Sequence, residues 1–169
     1  MPSHTKINIE VESAVKLSKH PNIIGIKDSS GKIENFQALC EAFKQQPEFK
    51  IFVGPEEFLA ETLKIGGDGG VTGGANLFPK LYVALYEAFQ KKEYDTVNKF
   101  QETILFLSNK LYQHGTYQSS YLKGLKAAMS LEGLCQGILA PPLYAYNSVE
   151  KEELKKNFHL VKEKVNQSL

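Results

Sequence analysis

The chain has 169 residues, 42% of them hydrophobic, which is long enough for one globular domain with a substantial core. Its formal net charge is +1, and lysines are interspersed with glutamates, so it lacks the basic patch expected of nucleic-acid or membrane-surface binding. No apolar run approaches the roughly 18 residues of a membrane span. The first ten residues lack the apolar core of a signal peptide, so we expect a cytoplasmic protein. Cys40 and Cys135 are far apart without neighbouring ligands, which favours buried thiols over a metal site or a disulfide.

The first part of the chain alternates predicted helices with short apolar strands. In chain order, the pattern predicts a helix at 11–20, a strand at 22–27, a helix at 33–45, a strand at 49–54, a helix at 56–65 and a strand at 68–72. Apolar residues at consecutive strand positions are typical of a parallel sheet that is buried on both faces by crossover helices. The sequence therefore predicts an α/β fold.

After the third strand the pattern becomes purely helical. Predicted helices cover roughly 76–90, 92–113, 117–132 and 148–166. Three strands are too few to close a barrel of eight strands, which takes about 250 residues. The chain is therefore either a small open α/β protein or part of a larger sheet, since an open sheet leaves two unpaired edges.

A lysine follows the first apolar strand, in the stretch GIKDSSG at 25–31. Parallel sheets bind ligands at the carboxyl ends of their strands, where Lys27, Gly54 and the Val71-Thr72 step are all predicted to lie. Partial desolvation there would favour the neutral amine, which attacks carbonyl carbons to form a Schiff base. The alternative is a solvated loop lysine in the turn that leads to the next helix.

A glycine-rich stretch, GGDGGVTGGAN at 66–76, follows the third predicted helix. Such a stretch allows either close approach of the backbone to a ligand or a tight turn from strand to helix. Its spacing matches neither a dinucleotide-binding fingerprint nor a P-loop. Taken alone, it leaves both interpretations open.

The order and spacing of GIKDSSG, Val53-Gly54 and GGDGGVTGGAN resemble those of the dihydrodipicolinate synthase and N-acetylneuraminate lyase family of class I aldolases. The resemblance extends from Pro2 into the C-terminal helices, including Gly124-Leu125-Lys126. It implies a (β/α)₈ TIM barrel, of which this chain has only the C-terminal half. Residues 1–90 would be the partial barrel with the last three strands, and residues 91–169 a helical extension packed on it.

The resemblance also implies roles for individual residues. Lys27 falls on the Schiff-base lysine that condenses with pyruvate or a related 2-oxo acid, which then reacts with an aldehyde. Gly54 and Val71 fall on positions that shape the 2-oxo acid pocket, and Thr72 lies beside them. No metal or organic cofactor is implied.

The chain departs from the family pattern at its start. The family's Tyr-Asn-x-Pro motif begins here at Met1-Pro2, so the tyrosine that relays protons is absent, as is an earlier Gly-Thr-Thr-Gly-Glu loop. His4, beside Thr5, stands where the synthases place a carboxylate-binding arginine, and its imidazole cannot give the same bidentate grip. We assign His4 and Thr5 to substrate binding of the kind found in keto-deoxy sugar acid aldolases. The alternative for His4 is a frayed N-terminal residue.

The expected activity is that of a pyruvate-dependent lyase, weak or absent in the chain alone because the carboxylate-binding loop and the proton relay are missing. Tyr117, Tyr121, Tyr144 and Tyr146 are candidates to replace the missing phenol, but no spacing selects one of them. The competing hypothesis is a non-catalytic half-barrel that pairs its strand edges with an N-terminal half or with its own copy. A homo-oligomer is accordingly expected.

Overall fold

A computed structural model describes residues 2–113 and 120–169, apart from the side chains of Ser3 and His4. The chain divides into two compact units, one ending at Thr72 and the other beginning at Gly73. The first unit contains α1 (Pro2–Thr5), α2 (Val11–Leu17), β1 (Gly25–Asp28), α3 (Ile33–Ala42), β2 (Lys50–Val53), a 3₁₀ turn (Glu56–Phe58), α4 (Leu59–Lys64) and β3 (Gly69–Gly70). The second contains a 3₁₀ turn (Gly74–Asn76), α5 (Pro79–Gln90), α6 (Tyr94–Leu107), a π-helical segment (Ser108–Tyr112), α7 (Ser120–Leu131) and α8 (Ser148–Ser168).

The three strands of the first unit form a parallel sheet in the order β1-β2-β3. Lys27 is paired with Phe52, and Phe52 with Gly69, so these three residues form one row across the sheet. The predicted strands and their parallel arrangement are confirmed. β3 is only two residues long because glycines with no side chain to pack occupy it.

One face of this sheet is covered by helices α3 and α4. Val53 lines a small cavity together with Phe36 of α3 and Thr62 of α4, and all three residues are buried. Ile51, which points to the same face of β2, is also buried. Close packing of these apolar side chains removes their surface from water and holds the helices on the strands.

The other face of the sheet is open within the first unit. Lys27 and Lys50 are exposed there, and Phe52 is half-buried. The expectation that both faces of the strands are buried is therefore wrong for this unit. The physical reason is that α3 and α4, the helices that follow β1 and β2, both pack on the face of Val53, whereas Lys27 points to the other face and is exposed.

The second unit is helical, as predicted. Its helices contact one another through buried apolar residues, among them Leu81, Leu85, Ile104, Leu107 and Val161. Gly124 of α7 lies so close to the π-helical segment that a Cβ there would collide with the Leu111 carbonyl oxygen. In the described ranges, every helix is too short or too polar to cross a lipid bilayer.

The predicted boundary between residues 90 and 91 differs from the division observed after Thr72. The sequence pattern grouped α5 with the strands because it follows β3 directly. In the structure, α5 packs on α6, and Leu81, Leu85 and Val97 of these two helices are fully buried. Packing of the helices against a barrel stays a prediction.

Candidate active site

The carboxyl ends of the three strands are joined by two backbone hydrogen bonds. The Gly54 N–H donates to the Asp28 carbonyl oxygen at 2.7 Å, and the Val71 N–H donates to the Val53 carbonyl oxygen at 2.9 Å. Residues that are far apart in the sequence thus become neighbours at one edge of the sheet. The three strands thus end at one edge of the sheet, as the strand pattern predicts, with Lys27 one residue before the end of β1 and with Gly54 and Val71 directly after β2 and β3.

Lys27 lies on β1 one residue before its carboxyl end, and its side chain is exposed. The expected partial desolvation of this lysine is therefore wrong for the unit as it stands. Its closest strand neighbour on the same face is Phe52, which supplies an apolar surface on one side only. Among the residues the structure describes, no carboxylate forms an ion pair with the Lys27 ammonium group.

Asp28 follows Lys27 and points to the opposite, helix-covered face, where it is buried. Its Oδ1 accepts the Ser30 N–H at 2.8 Å, and its Oδ2 accepts the Ser30 hydroxyl at 3.0 Å and the Asn35 amide Nδ2 at 3.0 Å. Because three donors surround the carboxylate, its burial costs little. These bonds tie the end of β1 to the first turn of α3.

Gly54 lies where an added side chain would require Ser29 to shift. A Cβ at this position would lie 3.0 Å from the Ser29 Cβ and would collide with the Ser29 hydroxyl. The sequence signal for Gly54 was its place directly after a strand. Its contact with Ser29 could not be read from the sequence, because it depends on how two strand ends meet.

Val71 and Thr72 follow β3. Val71 is 51% exposed, whereas Thr72 is buried. The Thr72 Cγ2 would lie 3.0 Å from a Cβ on Gly70, so the turn after β3 is tightly packed. Whether Val71 and Thr72 contact substrate stays a prediction.

The N-terminal candidates, His4 and Thr5, both lie in α1. The Thr5 hydroxyl donates to the Ile7 carbonyl oxygen at 3.1 Å and is exposed to solvent. The His4 side chain lies outside the described residues. Pro2 lines a cavity of about 40 Å³ with Lys27, which is too small for a substrate but places the start of α1 beside β1. Substrate binding by His4 and Thr5 stays a prediction.

Glu56 is a residue that the sequence reasoning missed. It lies two residues after Gly54 and is only 1% exposed. Burial of a carboxylate is costly without a partner, so its environment must compensate. No sequence signal distinguishes Glu56 from the neighbouring Glu57, since both follow the same proline.

Among the tyrosines considered as a proton relay, Tyr117 lies outside the described residues. Tyr144 is 75% exposed, and Tyr146 is buried with its hydroxyl 3.4 Å from the Ser120 carbonyl oxygen. Burial, followed by the Glu150 charge, raises the pKa of Tyr146 to about 12. A phenol that holds its proton so tightly is poorly matched to proton transfer near neutral pH.

A larger cavity, of about 580 Å³, lies at the opposite, amino ends of β2 and β3. The charged residues that line it form two ion pairs, Lys44 with Glu41 and Lys50 with Asp68. The Asp68 carboxylate accepts the Lys50 ammonium at 3.0 Å and the Ile51 N–H at 2.8 Å. Burial, followed by the Asp68 charge, raises the pKa of the Cys40 thiol in this cavity to about 11, so the thiol is a poor nucleophile. In the described part of the chain, no three acidic, cysteine or histidine side chains are grouped as metal ligands would be.

Comparison with known proteins assigns the chain to a family. The model of the Dihydrodipicolinate synthetase family matches residues 1–162. The chain belongs to this family. A 4-hydroxy-tetrahydrodipicolinate synthase of Methanospirillum hungatei is 31% identical over 155 residues, which cover 92% of this chain and 51% of that protein.

Solved structures of the Dihydrodipicolinate synthetase family show the same relationship. The dihydrodipicolinate synthase of Bacteroides thetaiotaomicron is 41% identical with a TM-score of 0.88, covering 95% of this chain and 54% of that one. A catalytic lysine mutant of the sialic acid aldolase of Ruminococcus gnavus is 25% identical with a TM-score of 0.85, covering 100% and 54%. The chain thus spans about half the length of the family members it matches. Membership supports a lyase at the general level.

Proposed function

We propose that this chain is the lysine-bearing half of a pyruvate-dependent class I aldolase or lyase, the C-terminal part of a (β/α)₈ TIM barrel. The observation that carries the proposal is the place of Lys27, one residue before Asp28 at the end of β1, where the Asp28 carbonyl oxygen accepts the N–H of Gly54 directly after β2. The similarity of the chain to a sialic acid aldolase that has a catalytic lysine supports a catalytic role for Lys27. The proposed substrates are a 2-oxo acid such as pyruvate and an aldehyde.

The proposed chemistry starts with attack of the neutral Lys27 amine on the keto carbon of the 2-oxo acid. The resulting carbinolamine loses water to give an imine, whose positive charge draws electrons from the neighbouring carbon. Loss of a proton from that carbon gives an enamine, which bonds to the aldehyde carbon, and hydrolysis of the imine then frees Lys27. The reverse sequence cleaves the same carbon–carbon bond. Gly54, Val71 and Thr72 would border the 2-oxo acid.

The exposure of Lys27 bears directly on this proposal. The Lys27 side chain is exposed to water, and efficient reaction needs a layer over the open face of the sheet that excludes water from the reacting atoms. In the proposed barrel that layer and the proton relay come from strands corresponding to the other half of the relatives. We therefore expect weak reactivity from the chain alone.

Borohydride trapping tests the proposal. The chain is incubated with pyruvate and borohydride, and intact-mass measurement followed by peptide mapping locates the reduced adduct. We expect an adduct at Lys27 that Lys27→Arg abolishes and that Lys32→Arg, a matched change of an exposed lysine five residues on, leaves unchanged. Adding the N-terminal half of the Bacteroides thetaiotaomicron synthase as a separate polypeptide should increase the yield. No adduct at Lys27 under either condition would contradict Schiff-base chemistry.

A second candidate function is a non-catalytic half-barrel that binds a separately encoded N-terminal half. It is favoured by the exposed apolar residues next to the sheet, Ile24 at 74% and Val71 at 51%. β1 and β3 are also edge strands of the described sheet, with backbone groups available for pairing. Size-exclusion chromatography with light scattering tests this second function. A well-folded chain that stays monomeric after an N-terminal half-barrel is added would argue against binding.

A further inference from the structure

Asp28, the residue next to Lys27, is held by four hydrogen bonds. Three hydrogen bonds converge on the Asp28 carboxylate, from the Ser30 N–H, the Ser30 hydroxyl and the Asn35 amide. A fourth joins the Asp28 carbonyl oxygen to the Gly54 N–H. The Ser30 hydroxyl oxygen also accepts the Lys32 N–H at 3.2 Å, which extends the network to the start of α3.

Asp28 and Lys27 point to opposite faces of the sheet, because side chains alternate along a strand. On the helix-covered face, the Asp28 carboxylate accepts hydrogen bonds from the uncharged groups of Ser30 and Asn35. Asp28 therefore influences Lys27 through the backbone that joins them and not as a counter-ion. Since no described carboxylate holds the Lys27 ammonium group, the direction of this side chain depends on how firmly its backbone is fixed.

We propose that Asp28 and Asn35 are positioning residues, whose hydrogen bond locks the end of β1 against α3 and thereby sets the direction of Lys27 over Phe52. The catalytic part of this inference rests on the proposed function, because it gives Lys27 the nucleophilic role. A displaced strand end would move the amine away from the reacting carbon. A misplacement of about 1 Å can lower a rate by about 100-fold.

An exchange of the two side chains tests the proposal. Asn35→Asp places a second carboxylate 3.0 Å from that of Asp28, where the two repel and the hydrogen bond is lost. The double variant Asp28→Asn/Asn35→Asp restores one carboxylate and one amide, with donor and acceptor exchanged. Gln37→Glu is the matched control, since it adds the same charge to an exposed position of α3.

Two measurements are made on each folded variant of the full chain. The first is the rate of borohydride-trapped pyruvate addition at Lys27. The second is the nuclear Overhauser effect between the Lys27 side chain and the Phe52 ring, its partner across the strands, which requires no reaction with pyruvate. We expect Asn35→Asp to lower the trapping rate by about tenfold or more and to weaken the Overhauser effect. The exchanged pair should restore both, and Gln37→Glu should change neither.

The outcomes separate the two claims. If the exchanged pair behaves like Asn35→Asp, or if Gln37→Glu has the same effect as Asn35→Asp, the positioning role is overturned. If the unmodified chain forms no adduct, the proposed function fails, and the Overhauser measurement alone decides whether the network directs Lys27. An Overhauser effect of equal strength in all four proteins overturns the inference whatever the trapping shows.

Discussion

Gly54 and Ser29 lie against each other at the carboxyl ends of β2 and β1, with no space between them for even one methyl group. The contact comes directly after the backbone bond from the Gly54 N–H to the Asp28 carbonyl oxygen. Glycine is needed here for space and not for an unusual backbone angle. The two strand ends can therefore approach closely beside Lys27.

Replacing Gly54 by alanine should destabilise the first unit. The new methyl group would collide with the Ser29 side chain, and such overpacking typically costs about 1–3 kcal/mol. Urea unfolding monitored by circular dichroism measures the effect, which we expect as a lower midpoint concentration of urea. The double variant Gly54→Ala/Ser29→Gly removes the colliding atoms and should recover part of the loss, so equal midpoints for the single and double variants would contradict this account.

The strand order and the place of Lys27 could be predicted because both follow from local patterns. Apolar runs mark the strands, and parallel strands bring their carboxyl ends to one edge, so Lys27, Gly54 and Val71 were expected to meet. The backbone bonds from the Gly54 N–H to Asp28 and from the Val71 N–H to Val53 show that the strand ends lie at one edge. The resemblance to a family was identified from the glycine-containing motifs, because the strand pattern alone indicates a fold class and not a family.

Burial at the candidate site could not be predicted in the same way. The exposure of Lys27 and the burial of Glu56 depend on which layers cover each face of the sheet, and residues distant in sequence decide this. An apolar strand was interpreted as buried on both faces, although helices of its own unit cover only one. Helical periodicity in α5 likewise gives no sign of what the helix packs on, so the predicted boundary after residue 90 stays a prediction beside the division into compact units after Thr72.

The charge of Asp68 should govern part of the reactivity of Cys40. Burial is the larger cause of its raised pKa, about 11 against an ordinary 9.0, and the Asp68 charge is the second. In a Cys135→Ser background, Asp68→Asn should move the midpoint of the pH profile for Cys40 alkylation part of the way from 11 towards 9. Rates of iodoacetamide modification between pH 7 and the onset of unfolding measure this.

Glu41→Gln is the control for that experiment. Glu41 lines the same cavity and is exposed, and its charge is not a cause of the Cys40 shift. Its variant should leave the alkylation profile unchanged. Equal profiles for Asp68→Asn and the parent would mean that burial alone controls the thiol.

Asn147 should contribute measurably to the stability of α8. Its Oδ1 accepts the Glu150 N–H at 3.0 Å, and the Glu150 carboxylate accepts the Asn147 N–H at 2.8 Å, which together form a capping box. Asn147→Ala should lower the free energy of unfolding by about 1 kcal/mol, as judged from urea titration. Because both hydrogen bonds join the same two residues, the double variant Asn147→Ala/Glu150→Ala should lose less free energy of unfolding than the sum of the two single variants.

Lys156→Ala is the control, since Lys156 is at an exposed position of the same helix. It should have little effect on the free energy of unfolding, and a loss as large as that of Asn147→Ala would argue against a capping role.

Tyr146 should make the stability of the protein fall in alkaline solution. Its phenol would lose its proton near pH 10.0 in the unfolded chain but near pH 12 in the folded one, where burial first and the Glu150 charge second oppose ionisation. Between these values the folded state binds more protons, so the free energy of unfolding decreases as pH rises. Below pH 10 the phenol is protonated in both states, and the contribution of Tyr146 to the free energy of unfolding is fully present.

Tyr146→Phe should therefore flatten the pH dependence of unfolding between about pH 10 and 12, measured by urea titration in a Cys40→Ala background. That background is needed because the Cys40 thiol, with its raised pKa, produces a decrease of the same sign between about pH 9 and 11. Tyr144→Phe is the matched control, since it removes the same hydroxyl group from a residue that is 75% exposed. Equal slopes for Tyr146→Phe and Tyr144→Phe would show that the buried phenol does not carry the effect, because only a group whose ionisation differs between the folded and unfolded states can change the slope.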